Sequence, residues 1–166
     1  MNVSFSTRGW QQIPWEQQVQ MAETMRFGGV ELYNVHKTPE LTGRGGPLHR
    51  YTAAATAREL WQKGLCIPCL DTACDIAGED CTETVTALMQ LAHDVQCPYV
   101  SVTAQRDDDA RISAALEALL PAAEAQGITI LLKTSGVFSD TARLRTLLDA
   151  FACDQLGALW DMHHPY

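Results

Sequence analysis

The sequence predicts an α/β fold of the incomplete (β/α)8, TIM-barrel-like kind, with about six parallel strands joined by helical crossovers. Two observations carry this reading. Strand-like and helix-like segments alternate along the whole chain, a pattern that calls for parallel strands with right-handed crossovers. Nearly every strand-like segment also finishes on a residue able to coordinate, protonate or hydrogen-bond. An open doubly wound sheet needs such ends only beside its switch point, whereas a ring of strands around one pocket needs them everywhere.

The elements follow in order. "VSFSTRGW" reads as a first strand ending near Arg8. Pro14 opens the helix "PWEQQVQMAETMRFG", with Val19, Ala22, Met25 and Phe27 on one side and Gly28 as its stop. "GVELYNVH" is a second strand, rich in β-branched and aromatic residues. A glycine-rich loop, "TPELTGRGGPLH", leads to the helix "RYTAAATARELWQKG". The third strand, "LCIPCLDTACDI", runs past Asp71, and the helix "DCTETVTALMQLAHDV" and strand "PYVSVTAQ" follow. Then come helix "DARISAALEALLPAAEAQG", strand "ITILLKTSG" and helix "SDTARLRTLLDAF", the last capped by Ser139 or Asp140. "LGALW" is the final strand. A complete barrel has eight strands and typically ~250 residues, so the 166 residues read as one domain lacking the last two β/α units.

The strand ends carry Arg8, His36 with Lys37, Asp71, Gln105, Lys133 with Ser135, and Asp161 with His164. Glu31 joins this set. Strand side chains alternate between faces, so Val30 and Leu32 face helices and Glu31 faces the opposite way. A carboxylate packed against helices is costly, which places Glu31 in a polar barrel mouth, the competing assignment being an edge strand with Glu31 in water. Asp161 and His164 have Asp-x-x-His spacing and can approach one cation or one sugar hydroxyl. Their oxygen-and-nitrogen donors suit Mn, Zn, Co or Mg rather than a soft metal.

Composition narrows the function classes. Hydrophobic residues make up 46% and charged residues 19%, as in a folded soluble protein. The net charge of −8 leaves no basic stripe for nucleic acid. No apolar run has the length of a membrane span, and "MNVSFSTRGW" lacks the basic and apolar regions of a secretory signal. A cytoplasmic location with reduced cysteines is therefore expected. Cys66-Ile-Pro-Cys69 has redox spacing but lies within an apolar strand rather than at a helix N-terminus. "GRGGPL" lacks the Lys-Ser/Thr of a phosphate loop. "RDDDAR" reads as a helix start whose carboxylates favour the dipole, and His93 as a solvent-boundary residue.

Taken together, "GGVELYNVH", "IPCLDTACDI", "GITILLKTSGVFSDTARLRTLLD" and "LGALWDMHHPY" resemble the sugar phosphate isomerase/epimerase family, the xylose isomerase-like TIM barrels. The resemblance implies carbohydrate metabolism: a small sugar or cyclitol isomerised, epimerised or dehydrated with one divalent metal. Such a metal is generally held by Glu on strand five, Asp on strand six, His on strand seven and Glu on strand eight, with a further His three residues after the Asp touching substrate. Residue by residue, this implies Asp161 as a metal ligand and His164 as a substrate contact. Glu31, Lys133 and His164 are the candidate catalytic residues, and Arg8, His36, Asp71 and His164 the candidate substrate contacts.

The sequence departs from the pattern at strand five, where Lys133 stands in place of the ligand Glu and Ser135 near the position often held by His. Two unit charges 4 Å apart interact by ~4 kcal/mol at an effective dielectric near 20; with a dication the magnitude roughly doubles, and here it is repulsive. The expectation is therefore impaired metal binding, with a Lys133–Asp161 pair or a disordered site in place of a family-type metal centre. The alternative class is non-enzymatic: a partial barrel that binds carbohydrate or a protein partner, or forms homo-oligomers through exposed barrel edges.

Overall fold

The computed structural model describes residues 3–161. Six strands form one sheet: β1 (Ser4–Ser6), β2 (Gly29–Tyr33), β3 (Cys69–Asp75), β4 (Tyr99–Ala104), β5 (Thr129–Gly136) and β6 (Leu156–Leu159). Six helices lie between them: α1 (Trp15–Thr24), α2 (Pro39–Thr42), α3 (Ala53–Gln62), α4 (Cys81–Asp94), α5 (Asp109–Gln126) and α6 (Thr141–Phe151).

Every neighbouring pair of strands is parallel, and their spatial order is the chain order, β1 to β6. That order decides between the two architectures. A doubly wound sheet reverses direction at a switch point. Here each crossover advances one strand in the same sense, and right-handed crossovers of constant direction put all helices on one face. The remaining face is the inner wall of a barrel-type sheet.

Side-chain alternation agrees with this assignment. Val30, Leu32, Leu70, Val100, Val102, Ile130 and Leu132 are all essentially inaccessible and form the core against the helices. Between them, Glu31, Tyr33, Leu131 and Lys133 are only half-buried on the inner face. Burying each large aliphatic side chain contributes about 1.5–3 kcal/mol, so register is fixed by the helix-facing row.

α5 and α6 start on side-chain caps, whereas α1, α3 and α4 have none and α1 ends at Thr24, before the expected stop at Gly28. Asp140 accepts from the backbone N–H of Ala142 (3.0 Å) and Arg143 (3.3 Å) to start α6. Asp108 accepts from Arg111 N–H at 3.0 Å to start α5, and Gly127, with φ of +66°, ends it. Asp107 and Asp109, the flanking members of the acidic run, both pair with Arg143 of α6. Elsewhere the elements are shorter than the sequence pattern suggests. The chain leaves β1 and β2 through 3-10 turns at Thr7–Gly9 and Val35–Lys37, and the expected glycine-rich loop contains α2. Residues 65–68 touch the sheet through one bridge, Gly29 with Cys66, because Pro68 has no N–H to donate. Among the described residues no helix is long and apolar enough to cross a membrane.

Candidate functional site on the inner face of the sheet

Register places the site. Ser6 lies opposite Glu31, Tyr33 opposite Asp71, Asp71 opposite Ser101, and Ser101 opposite Leu131. Lys133 lies two residues beyond Leu131, on the same face. Its side chain crosses β4 over the small, fully buried Ser101, and its ammonium donates to Asp71 Oδ2 on β3. The Asp71 side chain is 2% exposed and that of Lys133 16%, so this is an inner-face ion pair rather than a surface one. The other carboxylate oxygen of Asp71 accepts the backbone N–H of Ala73 at 3.0 Å, where the chain turns with a positive φ of 53°.

Glu31 is the second member. Ser6 Oγ donates to its Oε1 at 3.0 Å. Burial raises the Glu31 pKa above its ordinary 4.5; the Ser6 hydrogen bond opposes the rise, nearby Asp71 adds to it, and Lys133 and Arg8 oppose it. Arg8, at the end of β1, sets its guanidinium 5.3 Å from the centre of the Tyr33 ring. Cys69 lies in the same neighbourhood, but burial pushes its thiol up to about 12, so it is inert as a nucleophile. Beyond Tyr33 a cleft of about 480 Å³ opens between the segments following β1 and β2, lined by Thr7, Trp15, Gln18, Tyr33, Glu40 and Leu41 among others. Gln18 closes its floor by donating to the carbonyls of Trp10 (3.2 Å) and Ile13 (2.7 Å).

Four of the sequence-predicted residues, Arg8, Glu31, Asp71 and Lys133, thus share one electrostatic neighbourhood. The counterion of Lys133 corrects the sequence reading: the structure gives Asp71, where Asp161 was expected, because the inner-face register aims Lys133 across β4. Asp161 is tied to the end of β5 instead, its backbone N–H donating to Thr134 Oγ1 at 2.8 Å. His36 is not brought to this group. The left-handed Asn34 (φ 49°) turns the chain away at the end of β2, and His36 lines a separate cleft with Leu48, Leu88, Leu91 and Asp94. There burial, with Lys37 adding, lowers its pKa. His164 lies outside the described residues. Ser6 and Ser101 were missed in the sequence; only the register between strands identifies them.

Among the described residues no three His, Cys, Asp or Glu side chains converge as a metal-binding set, and the most buried carboxylate, Asp71, already carries an ammonium.

No family model and no curated protein matches the chain. Solved structures do. It superposes on a probable 3-DHS dehydratase involved in petrobactin synthesis from Bacillus anthracis with a TM-score of 0.75 at 19% identity, covering 99% of this chain and 64% of that one. It superposes on a xylose isomerase domain protein from Planctomyces limnophilus with a TM-score of 0.67 at 15% identity, covering 97% and 62%. For a D-allulose 3-epimerase from Methylomonas sp. the TM-score is 0.67 at 15% identity, with 99% and 64% covered. The chain thus spans less than two thirds of the length of each of these structures. At such identities the likeness is one of fold: a TIM-barrel-like α/β architecture whose six described strands are parallel and in sequential order.

Proposed function

We propose that this protein is a sugar isomerase/epimerase-like barrel protein that takes a small sugar or cyclitol at the inner face, with the Lys133 ammonium in the part that a divalent cation plays in the family it resembles. The observation that supports this reading is the Lys133–Asp71 ion pair with Glu31 beside it. An ammonium held on a buried carboxylate offers a fixed positive charge to a carbonyl or hydroxyl oxygen. Glu31, its pKa raised, is suited to moving a proton at the adjacent carbon. Arg8 over Tyr33 supplies further donors at the rim, and His164 is assigned to substrate contact. Asp161 is left as a residual carboxylate rather than the anchor of a metal centre.

The test is calorimetric titration of Mn2+ into the purified chain, with an Asp161→Ala control, followed by titration of free ketoses and aldoses without metal. Sugar binding without tight Mn2+ binding is expected. Tight Mn2+ binding that disappears in Asp161→Ala would overturn the metal-free reading. A second reading, self-association of a partial barrel, is favoured by one observation. Among the described strands β1 and β6 each have a single strand neighbour, and exposed Val3 and Trp160 flank them.

A further inference from the structure

Resting on the sugar-binding reading above, we infer that Lys133 is a nucleophile that forms an imine with the carbonyl group of an open-chain sugar or cyclitol ketone. Three features of the inner face carry the inference. Lys133 is partly accessible while its amine is held by one buried partner, so the nitrogen is positioned and still reachable from the open face. Asp71 touches that nitrogen directly and is the group able to take its proton. Glu31 is near enough to feel both charges, and its Oε1 is held by the Ser6 hydroxyl at 3.0 Å, so a second carboxyl group able to carry a proton is positioned beside the amine and Asp71. Nucleophile, base and acid of this kind are what amine addition to a carbonyl requires.

The step balances without any other reactant. An ammonium proton passes to the Asp71 carboxylate. The freed nitrogen lone pair attacks the carbonyl carbon, the C=O π electrons move to oxygen, and a proton shifts from nitrogen to that oxygen to give a neutral carbinolamine. Glu31 then protonates the hydroxyl, which leaves as water, and the nitrogen lone pair closes the C=N bond. The products are a protonated imine on Lys133, a protonated Asp71, an ionised Glu31 and one water, with net charge unchanged. The Glu31 carboxylate so formed is the base for the C–H next to the imine, whose acidity the positive nitrogen raises. Exchange of that proton is the elementary event of both epimerisation and isomerisation.

The chain has only three lysines, Lys37, Lys63 and Lys133, which makes trapping decisive. The protein is incubated with dihydroxyacetone, D-fructose or D-glyceraldehyde in the presence of sodium borohydride, and the reduced secondary amine is located by peptide mass mapping. Binding of the same sugars is followed in parallel by calorimetry. Labelling of Lys133 is expected to exceed that of Lys37 and Lys63 by at least about tenfold, because a bound carbonyl meets this amine at raised effective concentration. Lys133→Arg, which keeps a cation for Asp71 but cannot form the imine, is expected to show no label at the position. Sugar binding with no preferential label on Lys133 would overturn the covalent step and leave the sugar-binding reading standing. Neither binding nor label would overturn both.

Discussion

Asp71 and Lys133 depend on each other unequally, and the inequality is measurable. The Asp71 carboxylate is almost wholly enclosed, whereas Lys133 retains a path to the open face. Removing one partner of a buried pair typically costs about 3–5 kcal/mol, because the other charge is left uncompensated. Lys133→Met strands the enclosed carboxylate and is expected to lie in that range. Asp71→Asn strands an ammonium that can reorient toward water and is expected to cost less. Chemical denaturation of both variants and of the double variant checks this, since the double should be more stable than the sum of the singles predicts. Equal costs for the two single changes would mean that the asymmetry in burial is irrelevant.

Glu31 makes a pH-dependent prediction at the same scale. Its folded-state pKa is raised above the ordinary 4.5, chiefly by burial. The folded state therefore holds the proton more tightly than the unfolded chain, and stability from this group is full below about pH 4.5. It is lost as pH rises through the folded value. Glu31→Gln, which can still accept the Ser6 hydrogen bond, removes that loss. The variant is expected to be more stable than the wild type at neutral pH, with the advantage shrinking to nothing below pH 4.5. Paired thermal melts across the acid range test it, and a constant difference at all pH values would contradict the assignment.

At the scale of elements, most of the chain was legible because periodicity is local. α4, α5 and α6 fall within two residues of their sequence-based bounds, and β4 and β5 within one. The final strand likewise ends one residue earlier than read. What periodicity could not show is where a strand gives way to a 3-10 turn, since Arg8 and His36 lie in such turns rather than in strands. Nor could it show α2, four residues set inside a glycine-rich stretch. Gly136 belongs to this scale too. It pairs with Ala104 at the end of β5 with φ of +60°, and a Cβ there would run into the Ala104 carbonyl oxygen. Gly136→Ala combines left-handed strain with a backbone clash. A loss of at least about 1–3 kcal/mol is expected from the strain alone, read as a lower denaturant midpoint. Because this turn follows the strand carrying Lys133, the variant should also weaken sugar binding; unaltered stability would mean that the β4–β5 junction relaxes freely.

For the whole molecule, the sequence carried the fold class but not the wiring of the site. Polar residues at successive strand ends pointed to a ring-type arrangement of strands, and the described strands do follow one another in sequential parallel order. The choice of Asp71 over Asp161 as the partner of Lys133 depends on the three-dimensional register of β3, β4 and β5, which no single stretch of chain contains. The same sheet order leaves β1 and β6 as edges among the described strands, with Val3 51% and Trp160 58% exposed beside them. Unpaired backbone next to exposed apolar side chains favours strand pairing between copies, while β1 and β6, at three and four residues, are short enough to keep that pairing weak. The net charge of −8 opposes it further. These opposing terms give a specific expectation for sedimentation velocity. Association should be slight near 0.01 M salt, where the Debye length is about 30 Å, and should rise toward 1 M, where it is about 3 Å. Val3→Lys with Trp160→Lys, both at exposed positions outside the core, should lower association at every salt concentration. A chain that stays monomeric throughout, or a double variant that associates as the wild type does, would remove edge pairing as an account of how this protein assembles.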